Sequence, residues 1–290
     1  MFQGVYTAIV TPFKKGKLDE TSFRGLIEWQ IQEGIHGIVV CGTTGEAATL
    51  SADERKRVTE IAVEQSGSRV PIIAGTGSNS TTAAIDFTKD AFSLGATASL
   101  QVTPYYNKPM QEGLYQHFKA IAEAVDIPII LYNVPGRTSV NMLPDTVARL
   151  SKVKNIAGLK EASGDLEQVK KIIKLVPKEF SVLSGEDAQN LSIYMAGGVG
   201  AISVTSNVMP AKVAGVWDTF SSGDANGAKL LQEELQPLNK AMFIETNPIP
   251  AKTALSLMGK IGDEFRLPIT RMSKDGVGKL TDTLKNYKLI

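Results

Sequence analysis

The sequence is poor in the residues that build disulfides and zinc sites. Cys41 is the only cysteine among its 290 residues, so the chain can form no internal disulfide. The two histidines, His36 and His117, lie far apart in sequence and lack the spacing of zinc ligands. We therefore predict that the protein has no metal site and that Cys41 is a small residue of the core.

The chain also has almost no net charge and no long apolar run. The formal net charge is +1, which provides no basic surface for nucleic acid or for an anionic membrane. Nowhere do about eighteen apolar residues follow one another, as a membrane-spanning helix requires. Pro12 interrupts the first apolar stretch and no basic segment precedes it, unlike a secretory signal. We predict a globular, cytosolic protein without nucleic-acid or membrane partners.

Short apolar segments rich in β-branched residues alternate with helical patterns over roughly the first 220 residues, a length that suits a closed barrel. Eight of these segments are predicted strands: 5–10, 38–41, 71–74, 98–102, 129–132, 156–160, 181–184 and 201–204. The intervening segments carry helix starts, such as Ser51 with Glu54 as a capping box. Eight similar units predict a (β/α)₈ TIM barrel. A doubly wound sheet is the alternative, but the chain lacks the expected dinucleotide-binding loop.

The strand pattern stops near residue 222, and the remaining C-terminal residues are predicted to be helical. Helices are expected at 224–243, 248–258 and 274–286, with an ordered connector at 266–271. We therefore expect a catalytic barrel over residues 1–222 and a C-terminal helical domain over residues 223–290.

One lysine, Lys160, stands at the end of the sixth predicted strand, in the stretch IAGLKEAS at 156–163. In a barrel, the carboxyl ends of the strands face the active site. Desolvation there disfavours the ammonium and favours the free amine, which can attack a ketone to form a Schiff base. The alternative is a snorkelling lysine whose charge lies in the water of the loop.

Glycine-rich stretches are sorted by their position relative to the strands. The stretch GTTGE at 42–46 comes after the second strand, so its amides and the hydroxyls of Thr43 and Thr44 could bind a carboxylate. A turn whose hydroxyls bond their own backbone is the alternative. Gly197 and Gly200 precede the eighth strand and are expected to shape a tight turn. No Walker lysine accompanies either loop, so nucleotide binding is not expected.

Tyrosines and an arginine lie after the fourth and fifth strands. Tyr132 ends the fifth strand and could shuttle a proton, while Arg137 could grip a carboxylate through two hydrogen bonds. Tyr132 could instead be an amphipathic residue of the rim. Tyr105 and Tyr106 lie at the same rim. The chain has neither a Gly-x-Ser-x-Gly elbow nor paired histidines, so no hydrolase nucleophile is visible.

Six motifs closely resemble the dihydrodipicolinate synthase family, and together they span nearly the whole chain. They are GTTGE at 42–46, PYYN at 104–107, YNVPGRT at 132–138, LKEAS at 159–163, LSGED at 183–187 and NPIP at 247–250. GTTGE and LKEAS are shared with the wider superfamily of pyruvate-dependent aldolases and lyases. YNVPGRT is narrower, because N-acetylneuraminate lyases usually lack its arginine.

The resemblance implies an enzyme that condenses pyruvate with L-aspartate 4-semialdehyde, without a metal or an organic cofactor. Lys160 would form the covalent Schiff base with pyruvate, and Tyr132 would donate and accept protons. Thr43 and Tyr106 would complete a proton relay, with Tyr106 supplied by a neighbouring subunit. The implied assembly is a homotetramer built as a dimer of dimers.

The resemblance also implies the substrate contacts. Thr44 would hold the pyruvate carboxylate with help from the backbone of Ile202. Arg137 would bind the carboxylate of the aldehyde, and Gly185 would also contact substrate.

Two other functions remain open at this point. An N-acetylneuraminate lyase or another keto-acid aldolase would use the same lysine and tyrosine, but Arg137 argues against it. A barrel that binds a keto acid and regulates another process would need no turnover, yet Lys160, Tyr132, Thr43 and Tyr106 are all present.

One region departs from the pattern of lysine-inhibited family members, which carry a polar pocket beside GTTGE. Asn79 and Tyr105 match that pattern. The positions expected to supply polar contacts are alanine here, and Arg55 stands where a histidine or lysine is common. We expect weak or absent inhibition by lysine. The three alanines are Ala47, Ala52 and Ala83.

Overall fold

Eight parallel strands close into a barrel in the computed structural model, which describes residues 2–290. Each strand pairs with the next along the chain, and β1 also pairs with β8 to close the ring. The strands are β1 Gly4–Ala8, β2 Gly37–Val40, β3 Ile72–Gly75, β4 Ala98–Val102, β5 Ile129–Asn133, β6 Ile156–Glu161, β7 Ser181–Ser184 and β8 Gly200–Ser203. The predicted barrel is confirmed, and the doubly wound alternative is wrong.

Helices alternate with the strands and cover the outside of the barrel. Besides a one-turn helix at Pro135–Thr138, seven lie between β1 and β8 and one comes after β8: α1 Glu20–Gln32, α2 Ala52–Ser66, α3 Thr81–Ser93, α4 Gln111–Ala124, α5 Pro144–Leu150, α6 Leu166–Leu175, α7 Asn190–Met195 and α8 Pro210–Ser221. Ser51 and Glu54 form the predicted capping box of α2. A short hairpin of Phe13–Lys14 and Lys17–Leu18 lies between β1 and α1.

The strands are buried on both faces, which explains why they occur in the sequence as continuous apolar runs. Only Val102 and Ala157 among the residues of the barrel strands are half-buried. Tyr6, Ile202 and their neighbours fill the interior, while separate apolar clusters lie between the strands and the helices. Cys41 is buried next to β2, and burial raises the pKa of its thiol to about 11. Such a thiol is unreactive near neutral pH.

Two glycines lie at the amino end of β8: Gly197 precedes the strand and Gly200 is its first residue. Gly197 and Gly200 have φ values of +108° and +153°. A Cβ on Gly200 would collide with the backbone of Gly4 on β1. Gly200 therefore permits the close approach of β8 to β1, at the end of the barrel opposite the carboxyl ends of the strands.

The C-terminal extension forms α9 Ala225–Ala241, α10 Ile249–Leu257 and α11 Lys274–Asn286, close to the predicted bounds. Its side chains belong to a buried cluster that also contains Val5 of β1 and Ile27 of α1. The extension therefore packs directly on the barrel, and the division at residue 222 stays a prediction. No helix in residues 2–290 is long and apolar enough to cross a membrane.

Candidate active site

A cavity of about 340 Å³ opens at the carboxyl ends of the strands. Thr43, Tyr132 and Arg137 line it, as does Tyr105. A deeper pocket of about 50 Å³ shares Thr43, Tyr132 and Arg137 with the cavity and reaches Lys160. The two spaces therefore form one site that narrows from the mouth of the barrel to the lysine.

Lys160 lies at the bottom of this site. It pairs in register with Tyr132 on the neighbouring strand, and its Nζ lies 4.4 Å from the centroid of the tyrosine ring. The lysine is only 6% exposed, which disagrees with a snorkelling side chain. A Cβ on Gly185 would lie 2.6 Å from Cβ of Ala162 and 3.1 Å from Cε of Lys160. Glycine at 185 thus allows close packing after β6 and leaves room beside the lysine.

The GTTGE loop presents both threonines to the site. Thr44 is buried, and its Oγ1 accepts a hydrogen bond of 3.0 Å from Nδ2 of Asn247. The amide of Glu46 donates to the carbonyl of Thr43 at 3.1 Å and closes the turn. The Thr44 hydroxyl is therefore held by a distant residue rather than by its own backbone, contrary to the alternative expected for this turn.

Arg137 lies on a one-turn helix, Pro135–Thr138, directly after β5. Its side chain lines both the mouth and the deep pocket. Its Nη2 donates a hydrogen bond of 3.2 Å to the carbonyl of Asn247. The guanidinium is thus placed between solvent and the pocket of Lys160, where it can meet an anionic substrate group.

Two predicted residues do not line this cavity. Tyr106 is 90% exposed, and its backbone has a φ of +75°. Ile202 is buried in the barrel interior together with Tyr132 and Leu183. Within one chain, the structure leaves Tyr106 outside the pocket but brings six predicted residues together there. They are Thr43, Thr44, Tyr132, Arg137, Lys160 and Gly185.

Two residues without a role predicted from the sequence also belong to the site. Asn247 contacts Thr44 and Arg137, although the pattern around it indicates only a break between helices within a family motif. Glu186 lines the deep pocket directly after β7. Burial and the nearby Asp187 raise the pKa of the Glu186 carboxyl. Its place in LSGED, at the carboxyl end of a strand, is the signal that could have indicated it.

A buried polar network holds the ends of β5 and β6 from the outer side. Nδ2 of Asn133 donates to both carboxyl oxygens of Glu161, at 3.2 and 3.0 Å. The amide of Ser163 donates to the same carboxyl at 2.8 Å. Burial raises the pKa of Glu161. These bonds join the residues directly after Tyr132 and Lys160.

The arrangement combines a buried amine, a phenol, two hydroxyls and a guanidinium. The amine can form an iminium with a keto acid, the phenol can carry protons, and the guanidinium can bind a carboxylate. Within residues 2–290, no three histidine, cysteine, aspartate or glutamate side chains are placed to hold a metal ion.

Comparison with known proteins agrees with this arrangement. A family model described as "Dihydrodipicolinate synthetase family" matches residues 1–287. The 4-hydroxy-tetrahydrodipicolinate synthase of Thermodesulfovibrio yellowstonii is 58% identical over 290 residues, which is 100% of both chains. The crystal structure of the Thermotoga maritima dihydrodipicolinate synthase is 45% identical, with a TM-score of 0.98 and 100% of both chains covered. The Acinetobacter baumannii enzyme, solved with pyruvate, is 46% identical, with the same TM-score and coverage. The chain therefore belongs to the dihydrodipicolinate synthetase family.

Proposed function

We propose that this chain catalyses the 4-hydroxy-tetrahydrodipicolinate synthase reaction, the condensation of pyruvate with L-aspartate 4-semialdehyde in lysine and diaminopimelate biosynthesis. The observation that carries the proposal is the position of Lys160, buried beneath Tyr132 with Arg137 at the entrance to the same pocket. An amine, a proton carrier and an anion-binding group are the three functions that this condensation requires.

The reaction begins at Nζ of Lys160. The amine attacks the ketone carbon of pyruvate, and loss of water gives an iminium. The iminium withdraws electrons from the adjacent methyl group, so that a methyl proton can leave to Tyr132. The resulting enamine forms a carbon–carbon bond to the aldehyde carbon, and the aldehyde oxygen takes a proton. The amino group of the aldehyde substrate then attacks the iminium carbon, which closes the ring and releases the Lys160 amine.

The remaining residues have proposed roles in this sequence. Thr44 binds the pyruvate carboxylate, with the Ile202 backbone beside it, and Thr43 passes protons between Tyr132 and solvent. Arg137 binds the carboxylate of the aldehyde. The carboxylates of the two substrates would thus be held at separate points, while Lys160 and Tyr132 act on the carbon atoms between them.

A further set of proposals concerns what accompanies the reaction. Gly185 gives the substrate access to Lys160, because a side chain at 185 would crowd the lysine. The chemistry needs no metal or organic cofactor, since the electron sink is the covalent iminium on Lys160. The enzyme acts in the cytoplasm as a homotetramer.

A panel of aldehydes tests the proposed function against its alternative. With pyruvate fixed, aspartate semialdehyde and N-acetylmannosamine are compared as second substrates for the wild type and for Arg137→Lys. Of the two aldehydes, we expect only aspartate semialdehyde to be turned over. Its KM should be higher in the variant, because lysine cannot form the two parallel hydrogen bonds that arginine makes to a carboxylate. Turnover with the sugar would support the N-acetylneuraminate lyase reaction. Pyruvate binding without any turnover would support a regulatory keto-acid-binding protein.

Tyr106 is expected to act in the site of a neighbouring subunit, because it is highly exposed and lines neither part of the pocket of its own chain. Tyr106→Phe should lower turnover without unfolding the protein. Mixing this variant with Lys160→Ala should restore part of the activity, because a mixed dimer contains one site with an intact lysine and the partner's intact tyrosine. The assay is turnover after subunit exchange.

Analytical ultracentrifugation at the assay concentration provides the control for this prediction. The active species should be a dimer or larger, and turnover should fall as dilution dissociates it. A fully active monomer, or a mixture no more active than its two components, would contradict a tyrosine supplied by the neighbour.

Feedback inhibition by lysine is expected to be weak or absent. Arg55 fills the region beside the GTTGE loop, where it donates to the carbonyls of Ala47 and Gly75 and stacks on Phe87. It places a like charge near any bound ammonium. Each charge-assisted hydrogen bond missing at the alanine positions weakens binding by about 1.5 to 3 kcal/mol, so the loss of two should lower the affinity by about a hundredfold or more.

Turnover measured against increasing lysine checks this expectation. The matched variant Ala83→Glu, which adds an acidic side chain to the region, should become more sensitive than the wild type. Strong inhibition of the wild type by lysine would show that other groups supply the missing contacts.

A further inference from the structure

A second buried lysine, Lys252, lies in the C-terminal extension and forms an ion pair with the GTTGE loop. Its Nζ is 2.5 Å from Oε1 of Glu46. The two side chains are 1% and 2% exposed, whereas the next least exposed ion pair among residues 2–290 joins Arg266 and Glu54, at 18% and 29%. Among residues 2–290, Lys252 and Glu46 therefore form the one ion pair in which both side chains are shielded from water.

Stability alone is a weak reason for such a pair. Transferring two charges from water to the interior costs about as much as their attraction returns, and apolar side chains of similar volume often stabilise a core equally well. The rings of Phe13 and Phe265 already surround the ammonium, with centroids 4.4 and 4.9 Å from Nζ. A methionine would suit this apolar surrounding. We therefore look for the role of this ion pair in the way it holds the Glu46 side chain in place.

Glu46 controls the end of the threonine turn. Its backbone is left-handed, with φ 55° and ψ 35°, a conformation that is unfavourable for a residue with a Cβ. Its amide donates to the Thr43 carbonyl at 3.1 Å, and Thr11 holds the preceding carbonyl of Gly45 at 2.7 Å. The second carboxylate oxygen accepts a hydrogen bond of 3.4 Å from the amide of Arg266. The turn is thus fixed by contacts to its last residues.

The segment that carries Lys252 also touches the turn at a second point. Asn247 lies just before α10 and donates to the Thr44 hydroxyl at 3.0 Å, while its carbonyl accepts from Arg137 at 3.2 Å. Residues 247–252 therefore contact the turn at two points, Thr44 and Glu46. Both anchors come from the C-terminal extension rather than from the barrel.

We propose that Lys252 is a positioning residue for the reaction. Through its ion pair with Glu46, it fixes the turn so that Thr43 and Thr44 face Lys160 and Tyr132. This inference rests on the proposed function for the roles of the two threonines. Lys252 lines neither part of the active-site cavity, so it acts only through Glu46. The C-terminal extension is then required for the chemistry as well as for folding.

Three variants test the proposal: Lys252→Met, Glu46→Gln and the combination of both. Lys252→Met leaves a buried carboxylate without its cation, so both the melting temperature and kcat should fall. The double variant contains no buried charge, so its melting temperature should recover toward that of the wild type. Its kcat should stay lower by about tenfold to a hundredfold, with a raised KM for pyruvate, because small displacements of catalytic groups have effects of that size.

Leu280→Ala provides the matched control for loss of stability. Leu280 is fully buried in α11 of the same extension and lines neither part of the cavity. This variant should melt at a lower temperature but keep its kcat when assayed well below that temperature. If a double variant with restored stability has a kcat within about twofold of the wild type, the pair is only structural and the proposal is wrong. Because the double variant lacks the uncompensated charge, it decides the question even if Lys252→Met fails to fold.

Borohydride trapping of pyruvate gives the same comparison without the aldehyde. In the double variant, half-maximal trapping at Lys160 should need more pyruvate than in the wild type. A wild type that traps pyruvate but does not turn over aspartate semialdehyde would refute the proposed function, and the effect of Lys252 would still be measured. Unchanged trapping and unchanged turnover in the double variant would refute the positioning role alone.

Discussion

Replacement of Lys160 by alanine is expected to abolish turnover and to prevent pyruvate from being trapped on the protein. The amine lies at the end of β6, shielded from water and 4.4 Å from the centroid of the Tyr132 ring. In the proposed mechanism, no other residue that lines the deep pocket can form the covalent iminium, so the reaction would lose its electron sink. We expect turnover to fall by roughly 10⁴-fold or more, toward the uncatalysed rate.

Mass spectrometry after incubation with pyruvate and borohydride measures the covalent step directly. In the wild type, peptide mapping should place the added mass on Lys160. Lys174→Ala removes an exposed lysine of α6 and serves as the control, with trapping and turnover unchanged. Labelling of an unrelated lysine in the wild type, or undiminished labelling in Lys160→Ala, would rule out this lysine as the Schiff-base residue.

The barrel could be predicted from the sequence because its strands are buried on both faces. Such strands leave continuous apolar runs, and the predicted bounds at 98–102 and 181–184 match the structure. The position of Lys160 depends on the same pattern, since the end of a buried strand is local information. The fifth and sixth strands end at Asn133 and Glu161, one residue later than predicted. These two polar side chains are not recognisable as strand residues from the sequence, because they are buried through hydrogen bonds to each other.

The rest of the site depends on contacts between distant parts of the chain. Asn247 meets Thr44 across 203 residues, and Lys252 meets Glu46 across 206. No periodicity or local motif chemistry indicates which distant partner a buried side chain has. Tyr106 poses a related problem, because its proposed partners lie in another subunit. The sequence therefore predicts the strand-end residues of the site better than the residues that hold them.

Tyr132→Phe is expected to lower kcat by a factor of roughly 10² to 10⁴, the usual contribution of a general acid–base group. The substitution removes the phenolic oxygen, which we propose carries the proton away from the pyruvate methyl and toward the aldehyde oxygen. It keeps the ring that packs in the barrel interior and lies over the Lys160 amine. Pyruvate trapping should therefore survive in part, because the amine and its surroundings remain.

The comparison of kcat with melting temperature separates catalysis from packing. Tyr6→Phe makes the same chemical change in the same interior cluster, but Tyr6 lies outside the cavity. Burial raises the pKa of Tyr6 to about 12, but the contrast with Tyr132 rests on position, because a hydroxyl outside the cavity cannot reach a substrate. Tyr6→Phe should leave kcat unchanged. If Tyr132→Phe retained the wild-type kcat and only melted at a lower temperature, Tyr132 would be a packing residue of the rim, and another group would have to carry the proton.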